Sequence, residues 1–327
     1  PEWVRDFNAS GAAESYRSTW DPLKNLNTYA ESGLDDVPYE SPFRGEAAPV
    51  FPHDLPTLWE ENGGFNILKS TPYGNSLTLD FALEAIKAEE LGADIITDFL
   101  AISFSSTDYV GHKFGVNSKE VQDTYMRLDR DLARLLEYLD RKVGKGEYTV
   151  FLTSDHGAGQ VPAYLRDLKV PAGYLKTGEI QKKFQEFLRY TYGRTDIIRG
   201  QSNNQIFLDH QILNNLGLSL KEVQETLAAE LTGYDGIHQV YTAYQMRYAD
   251  YRDGMAAIVQ NGFHQKRSGD VLIVPAPETP AYSSTGSTHG SPHIYDTHVP
   301  LIFFGKGIRK GESMRRTYIR DIAPTIA

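Results

Sequence analysis

The chain has 327 residues, 40% of them apolar and 23% charged, which is a globular composition and excludes an intrinsically disordered chain. Its net charge of −10, with no basic stripe, excludes a nucleic-acid polymer as the expected partner, while an anionic substrate stays open because bound divalent cations reverse the sign locally. Cysteine is absent, which excludes disulfides, thiolate catalysis and Cys-ligated zinc within these residues, and no apolar run is long enough to predict a membrane span.

Both ends read as cut points. The chain opens at Pro1 with no secretory signal and stops at Asp321-Ile-Ala-Pro-Thr-Ile-Ala327, so a piece of a longer protein is expected.

Residues 1–76 are irregular, aromatic and rich in Pro and Gly, with Trp3, Trp20 and Trp59 spread through them. They predict a peripheral cap segment of short elements and long loops. A core βαβ region is expected over 77–159. Within it Thr78 to Leu91 has helical periodicity, with Gly92 placed to close the helix. An apolar strand is expected at 98–104. A second helix runs from the capping Ser118 to Val143, with Val121, Tyr125, Leu128, Leu132, Leu135 and Leu139 in register, and a strand follows at 148–153. Strand, helix, strand at this spacing predicts a parallel, buried pair.

From 160 to 268 the elements become short and alternate, which predicts an α+β insertion. Helices are expected near Gly178–Tyr192, Ser219–Leu231 and Ala243–Ala249, and strands at Asn204–Leu208, His238–Tyr241 and Val271–Val274. The core resumes over 269–327 with the apolar run Val299-Pro-Leu-Ile-Phe-Phe304.

Chemistry gathers where predicted strands end. Asp108 and His112 follow the first strand at a four-residue step, which places both side chains on one side and lets them bite one ion. Gly111 between them is expected to allow a tight backbone. Asp155 and His156 follow the second strand, and a turn through Gly157 brings both toward one metal. Oxygen and imidazole donors suit Zn²⁺, and less specifically Mn²⁺ or Fe²⁺. Taken singly, Asp155-His156 is more often a capping Asp with a surface His, and Asp108 with His112 more often polar residues of a solvated helix face. At the ends of two neighbouring strands they point to a metal site, because ligands of open α/β sheets collect at the carboxyl ends of strands.

A third element is Ser283-Ser-Thr-Gly-Ser-Thr-His289-Gly-Ser-Pro-His293-Ile-Tyr-Asp296-Thr-His298. Small residues flank His289, as a backbone passing close to an ion requires, and His289 is the preferred ligand. His293 is a candidate for contact with substrate or with a carboxylate behind the ligands. Asp296 either orients an imidazole or shapes a turn. His298 leads into a strand and is expected to serve packing or to hydrogen-bond behind the ligands.

Three motifs together, Asp108-Tyr-Val-Gly-His112, Thr153-Ser-Asp-His-Gly157 and Thr288-His-Gly-Ser-Pro292, make the chain resemble the alkaline phosphatase superfamily. The likeness is greatest to the PafA-type zinc alkaline phosphatases, near the nucleotide pyrophosphatase/phosphodiesterases. Pro1-Glu-Trp-Val4 and Thr71-Pro-Tyr-Gly-Asn-Ser-Leu-Thr78 extend it over essentially the whole chain. The resemblance implies an α/β fold, a mostly parallel sheet flanked by helices with an inserted α+β subdomain. It also implies a two-zinc site, with Asp108, His112 and His289 as ligands of one ion and Asp155 and His156 as two ligands of the other. A Thr or Ser nucleophile forming a phospho-enzyme is implied as well, but the family places it upstream of the segment equivalent to Pro1. No residue here is therefore assigned as nucleophile, and the 327 residues alone are expected to be inactive.

The expected activity of the parent protein is hydrolysis of a small phosphorylated substrate, a phosphate monoester, in a periplasmic or secreted protein. A phosphodiesterase or nucleotide pyrophosphatase using the same ions is the alternative, and an inactive metal-binding fragment is a third reading. The expected partner is the missing N-terminal segment of the same protein, with no membrane and no nucleic-acid polymer.

Overall fold

A computed structural model describes residues 1–280 and 284–326. Ser283, which opens the histidine-rich motif, and Ala327 lie outside them. The chain divides into two compact units. The first holds Pro1–Asp155, Thr285–Ser287 and the segment from Val299 onward, and the second holds His156–Ser284 and Thr288–His298.

In the first unit the irregular N-terminal residues supply a core. Trp20, Phe43, Phe51, Leu55, Leu58, Trp59, Ile67 and Leu68 are buried in one cluster with Val110, Phe114 and Val121. Phe43 and Phe114 each meet an aromatic neighbour edge-on, as ring quadrupoles prefer. Helix α1 spans Pro72–Ala88, α2 Ser106–Phe114 and α3 Lys119–Leu139. Helix α1 starts earlier than its periodicity predicted, because Pro72 occupies the first turn, where no N–H is needed. It also closes before Gly92. Glu90 takes the left-handed conformation, with φ 52°, and Leu91 N–H returns to Ile86 C=O at 3.0 Å.

Helix α3 begins as expected, with Ser118 Oγ accepting from Val121 N–H at 3.1 Å. Its regular part ends at Leu139, and one wider turn, Asp140–Gly144, finishes it. Leu79, Ile86 and Leu135 bury the face between α1 and α3.

Strand β1, Thr149–Thr153, pairs antiparallel with β6, Leu301–Gly305, in the register Phe151↔Phe303. The strand expected at 98–104 does not form, and with it goes the predicted parallel pair. Ile102 and Phe104 pack on the α1–α3 cluster, whereas Phe99 stays largely exposed with only Phe151 beside it at 6.1 Å, and Leu100 is exposed too. An apolar run reports that a segment can be buried, and only a backbone partner turns it into a strand.

The second unit is α+β, as expected of the insertion. Its four-stranded antiparallel sheet has the order β2–β3–β5–β4, formed by Ile198–Ser202, Gln205–Leu208, Val271–Pro275 and Ile237–Thr242. Helices α4, Thr177–Tyr192, and α5, Leu220–Thr232, supply Phe184, Leu188, Val223, Leu227 and Leu231 to its core. Helix α6, Ala243–Tyr248, opens with a reciprocal cap between Thr242 and Gln245. Strand β2 went unforeseen because Ile-Arg-Gly-Gln-Ser lacks a β signature. The turn that makes it, Asn203-Asn204 with φ 49° and 57°, is the legible signal for a tight hairpin.

Candidate metal centre

Helix α2 carries the first ligand pair. Val110 and Phe114, one turn apart, are buried in the aromatic core and fix the helix rotationally. Asp108 and His112 stand on a different face, and His112 Nε2 lies 3.2 Å from Asp108 Oδ2. The pair was expected just after a strand, and the structure places both within one nine-residue helix.

The start of α2 is held from outside. Asn75, 1% exposed, accepts from Ser106 N–H at 3.1 Å through Oδ1 and donates from Nδ2 to Thr107 Oγ1 at 3.0 Å. Gly74 permits this approach, since a β-carbon there would stand 2.1 Å from Ser106 Oγ and 2.7 Å from Leu68 C=O. Nothing in the local sequence marks the Gly74-Asn75 pair for this task.

The segment Thr285–Ser287 lies along the same helix. Ser287 N–H donates to Gly111 C=O at 3.1 Å, and Ser287 C=O accepts from His112 Nδ1 at 2.7 Å. A backbone acceptor on Nδ1 fixes the tautomer, so the Nε2 lone pair faces the side occupied by Asp108. This is the usual arrangement for a metal-ligating imidazole. The hydrogen bond that Asp108 accepts from a protonated Nε2 is the largest influence on His112, and it holds the imidazole above its ordinary range despite burial. A metal at Nε2 would compete with that proton.

Two glycines differ from expectation. Gly111 was expected to admit a tight backbone, yet it is helical, and a β-carbon on it would meet nothing within 4 Å. The close approach belongs to Gly286. Its φ is +72°, and a β-carbon there would sit 1.9 Å from His112 C=O. Gly286 N–H is tied to Tyr39 C=O at 2.8 Å, and Ser41 hydrogen-bonds Thr285, so the Tyr39–Ser41 loop presses the segment onto α2.

Asp155 follows the end of β1 and is exposed. His156 is the first residue of the second unit. Its Nδ1 faces Gly157 C=O at 2.9 Å, and its ring stacks on His289 with centroids 3.4 Å apart and planes 11° from parallel. Gly157 is required sterically: its N–H donates to Asp296 C=O at 2.8 Å, and a β-carbon would lie 2.0 Å from Tyr295 C=O.

The remaining candidates have structural partners. His293 is buried, and its Nε2 meets Pro275 C=O at 2.8 Å, which ties it to the end of β5. Asp296 accepts from Ser291 N–H and Oγ, both at 2.6 Å, so of its two expected roles the turn is the one its partners support. His298 was expected to pack or to support the ligands, but it is exposed, with extended backbone after the short turn Ile294–Thr297.

Carboxylate and imidazole donors of this kind fit a divalent cation of borderline softness, zinc above all. Among known proteins, the sequence profile of the type I phosphodiesterase / nucleotide pyrophosphatase family matches residues 12–298. A protein of Myroides odoratus named calcium-transporting ATPase is 41% identical over all of this chain and 60% of its own length. The alkaline phosphatase PafA of Elizabethkingia meningoseptica is 39% identical over the same shares. The crystal structure of wild-type PafA superposes with a TM-score of 0.92 at 38% identity, covering all of this chain and 62% of that one. The chain thus spans about 60% of the length of these curated relatives. Both the fold and the family expected from the motifs are borne out. The chain belongs to the type I phosphodiesterase / nucleotide pyrophosphatase family, within the PafA-like branch of the alkaline phosphatase superfamily.

Proposed function

We propose that this chain carries the metal ligands of a phosphoric ester hydrolase whose substrates are phosphate monoesters and whose cofactor is a pair of zinc ions. The observation that carries the reading is the preset of His112: Nδ1 is held by Ser287 C=O at 2.7 Å, and Nε2 lies 3.2 Å from Asp108 Oδ2. An imidazole fixed by its backbone partner and aimed at a carboxylate oxygen is half of a metal site already ordered.

Asp108, His112 and His289 would hold one zinc, and Asp155 and His156 would hold the other. Bound there, two divalent cations supply Lewis-acid stabilisation of charge on the phosphoryl oxygens. The chain's own residues do the positioning. Asn75 seats the start of α2, Gly286 lets Ser287 reach His112, and Gly157 lets the backbone after His156 pass close to Tyr295 C=O.

The attacking hydroxyl belongs to no residue assigned here, so the 327 residues alone should bind metal without turnover. The partner that completes the enzyme is the remaining segment of the same polypeptide, and a periplasmic or secreted location accompanies the reading. Monoesters are preferred because relatives such as PafA are named alkaline phosphatases, whereas the family description favours diesters. Turnover of an aryl phosphate and of its methyl diester by the intact protein separates the two. A higher kcat/KM for the monoester is expected, and a much higher value for the diester would replace this reading with the phosphodiesterase one.

A further inference from the structure

Strands β1 and β6 are apolar on both faces. Side chains alternate along a strand, so Val150 and Leu152 share one face with Phe304 and Ile302, their partners in the register, while Phe151 and Phe303 point to the other. A ribbon of this composition belongs inside a sheet covered on both sides, because a sheet with one wet face alternates apolar and polar residues. Here the first face is open. Leu152 is 37% exposed, Ile302 52% and Phe304 54%.

The backbone is as incompletely served as the side chains. Strands β1 and β6 make a sheet of two strands only, and two strands alone are marginal in water. Beside them, residues 99–103 make no backbone–backbone hydrogen bond among the described residues, and Phe99, next to Phe151, is 64% exposed. From Leu301 to Ile326 only Ile322 is buried. Elsewhere in the first unit, α1, α3 and the N-terminal aromatic residues close over their own clusters. The unburied surface is therefore local to the ribbon, and an apolar patch of this kind marks an interaction surface.

We propose that the β1–β6 ribbon and the run at 98–104 form the docking surface for the remaining part of the same polypeptide, which covers Leu152, Ile302 and Phe304 and supplies the strand that the 98–104 backbone lacks. The length of the relatives argues for this occupant: the chain spans only about 60% of them, so such proteins carry a further segment large enough to add both a strand and a packed layer. Position argues for it too. Asp155 follows the end of β1, so a strand added here carries groups of that segment to the ligand end of the sheet. The hydrolase reading above needs an attacking hydroxyl there, and the proposal rests on that reading for the segment's role but not for its docking. A second copy of the chain would cover the apolar face without bringing any new group to Asp155.

The test uses the intact polypeptide. Phe304 is replaced by the photo-cross-linker p-benzoylphenylalanine, and adducts are mapped by mass spectrometry after irradiation. Hydrogen–deuterium exchange is followed in the unmodified protein on peptides covering 98–104. Expected are cross-links within one molecule, from that position to peptides outside these 327 residues. Amides at 99–103 should exchange at least about 100-fold more slowly than those of an unstructured chain, the protection of a formed ladder. Cross-links that join two copies assign the face to self-association and overturn the proposal. So does the absence of any adduct outside the 327 residues, or exchange at 99–103 at the unstructured rate. Neither readout involves metal or turnover, so failure of the docking leaves the hydrolase reading standing, and failure of that reading leaves the docking measurable.

Discussion

Gly286→Ala is the sharpest perturbation of the candidate site. The residue has φ +72°, a conformation that costs an L-amino acid roughly 1–2 kcal/mol. Its new β-carbon would stand 1.9 Å from His112 C=O and 2.9 Å from the carbonyl carbon, and both are backbone atoms that no rotamer change moves away. Overpacking of this kind adds about 1–3 kcal/mol, so the total is about 2–5 kcal/mol if the segment holds its place. If the segment yields instead, it gives up Gly286 N–H to Tyr39, Ser287 N–H to Gly111 and the Ser287 bond to His112. At about 1 kcal/mol each, the loss is similar. Either route releases His112 from its fixed tautomer. Zinc affinity, measured by competition with a chromophoric chelator, should fall by about 10–100-fold, the usual cost of removing a ligand's outer hydrogen bond. Gly111→Ala is the control: with nothing within 4 Å of its β-carbon in a helix, it should be neutral or stabilising by up to about 1 kcal/mol. A Gly286→Ala protein that melts and binds zinc like wild type would show that this segment does not position His112.

Three further outcomes are expected. Asn75→Ala removes the outside cap of α2, and chemical denaturation should show a loss of about 0.5–2 kcal/mol with weaker zinc binding. His289→Ala should lower the zinc stoichiometry, whereas His293→Ala, by orphaning Pro275 C=O in a buried site, should cost about 1–3 kcal/mol of stability and leave the stoichiometry unchanged; the reverse pattern would exchange their roles. Stability should fall as pH rises. Glu40 and Glu120 hold their protons more tightly folded than unfolded, and His53 does too, its hydrogen bonds to Glu120 and Glu46 outweighing burial. Raised folded-state pKa values mean stability that is present at low pH and lost upward, for Glu40 between about 4.5 and about 9. Melting curves across that range should show the decline and a flatter profile for Glu40→Gln; a wild-type stability that rises with pH would contradict the assignment.

The candidate pairs Asp108/His112 and Asp155/His156 stood out because each follows an apolar run, and a four-residue step such as Asp108 to His112 needs no tertiary knowledge. Helices announced by caps, such as Ser118 and Ser219, were found nearly to the residue. What stayed hidden depends on contacts distant in sequence. Nothing local tells that Gly286 rather than Gly111 needs its missing side chain, since the clash is with a carbonyl on α2. Asn75 caps a helix that begins some thirty residues later, and Ser287 bonds a histidine far upstream. The run at 98–104 misled for the same reason in reverse, because its apolar character was real while the backbone partner it implied is absent among the described residues. His293 and His298 were indistinguishable by composition, and burial alone separates them.

The most direct test of the central claim is zinc titration of the intact, metal-stripped protein while phosphate release from an aryl phosphate is followed. The account predicts no turnover without metal and recovery that saturates near two zinc per chain. It also predicts that both the binding and the recovery are lost when His112 is replaced by Ala. Full turnover by the metal-free protein, or by the His112→Ala variant without bound zinc, would contradict it.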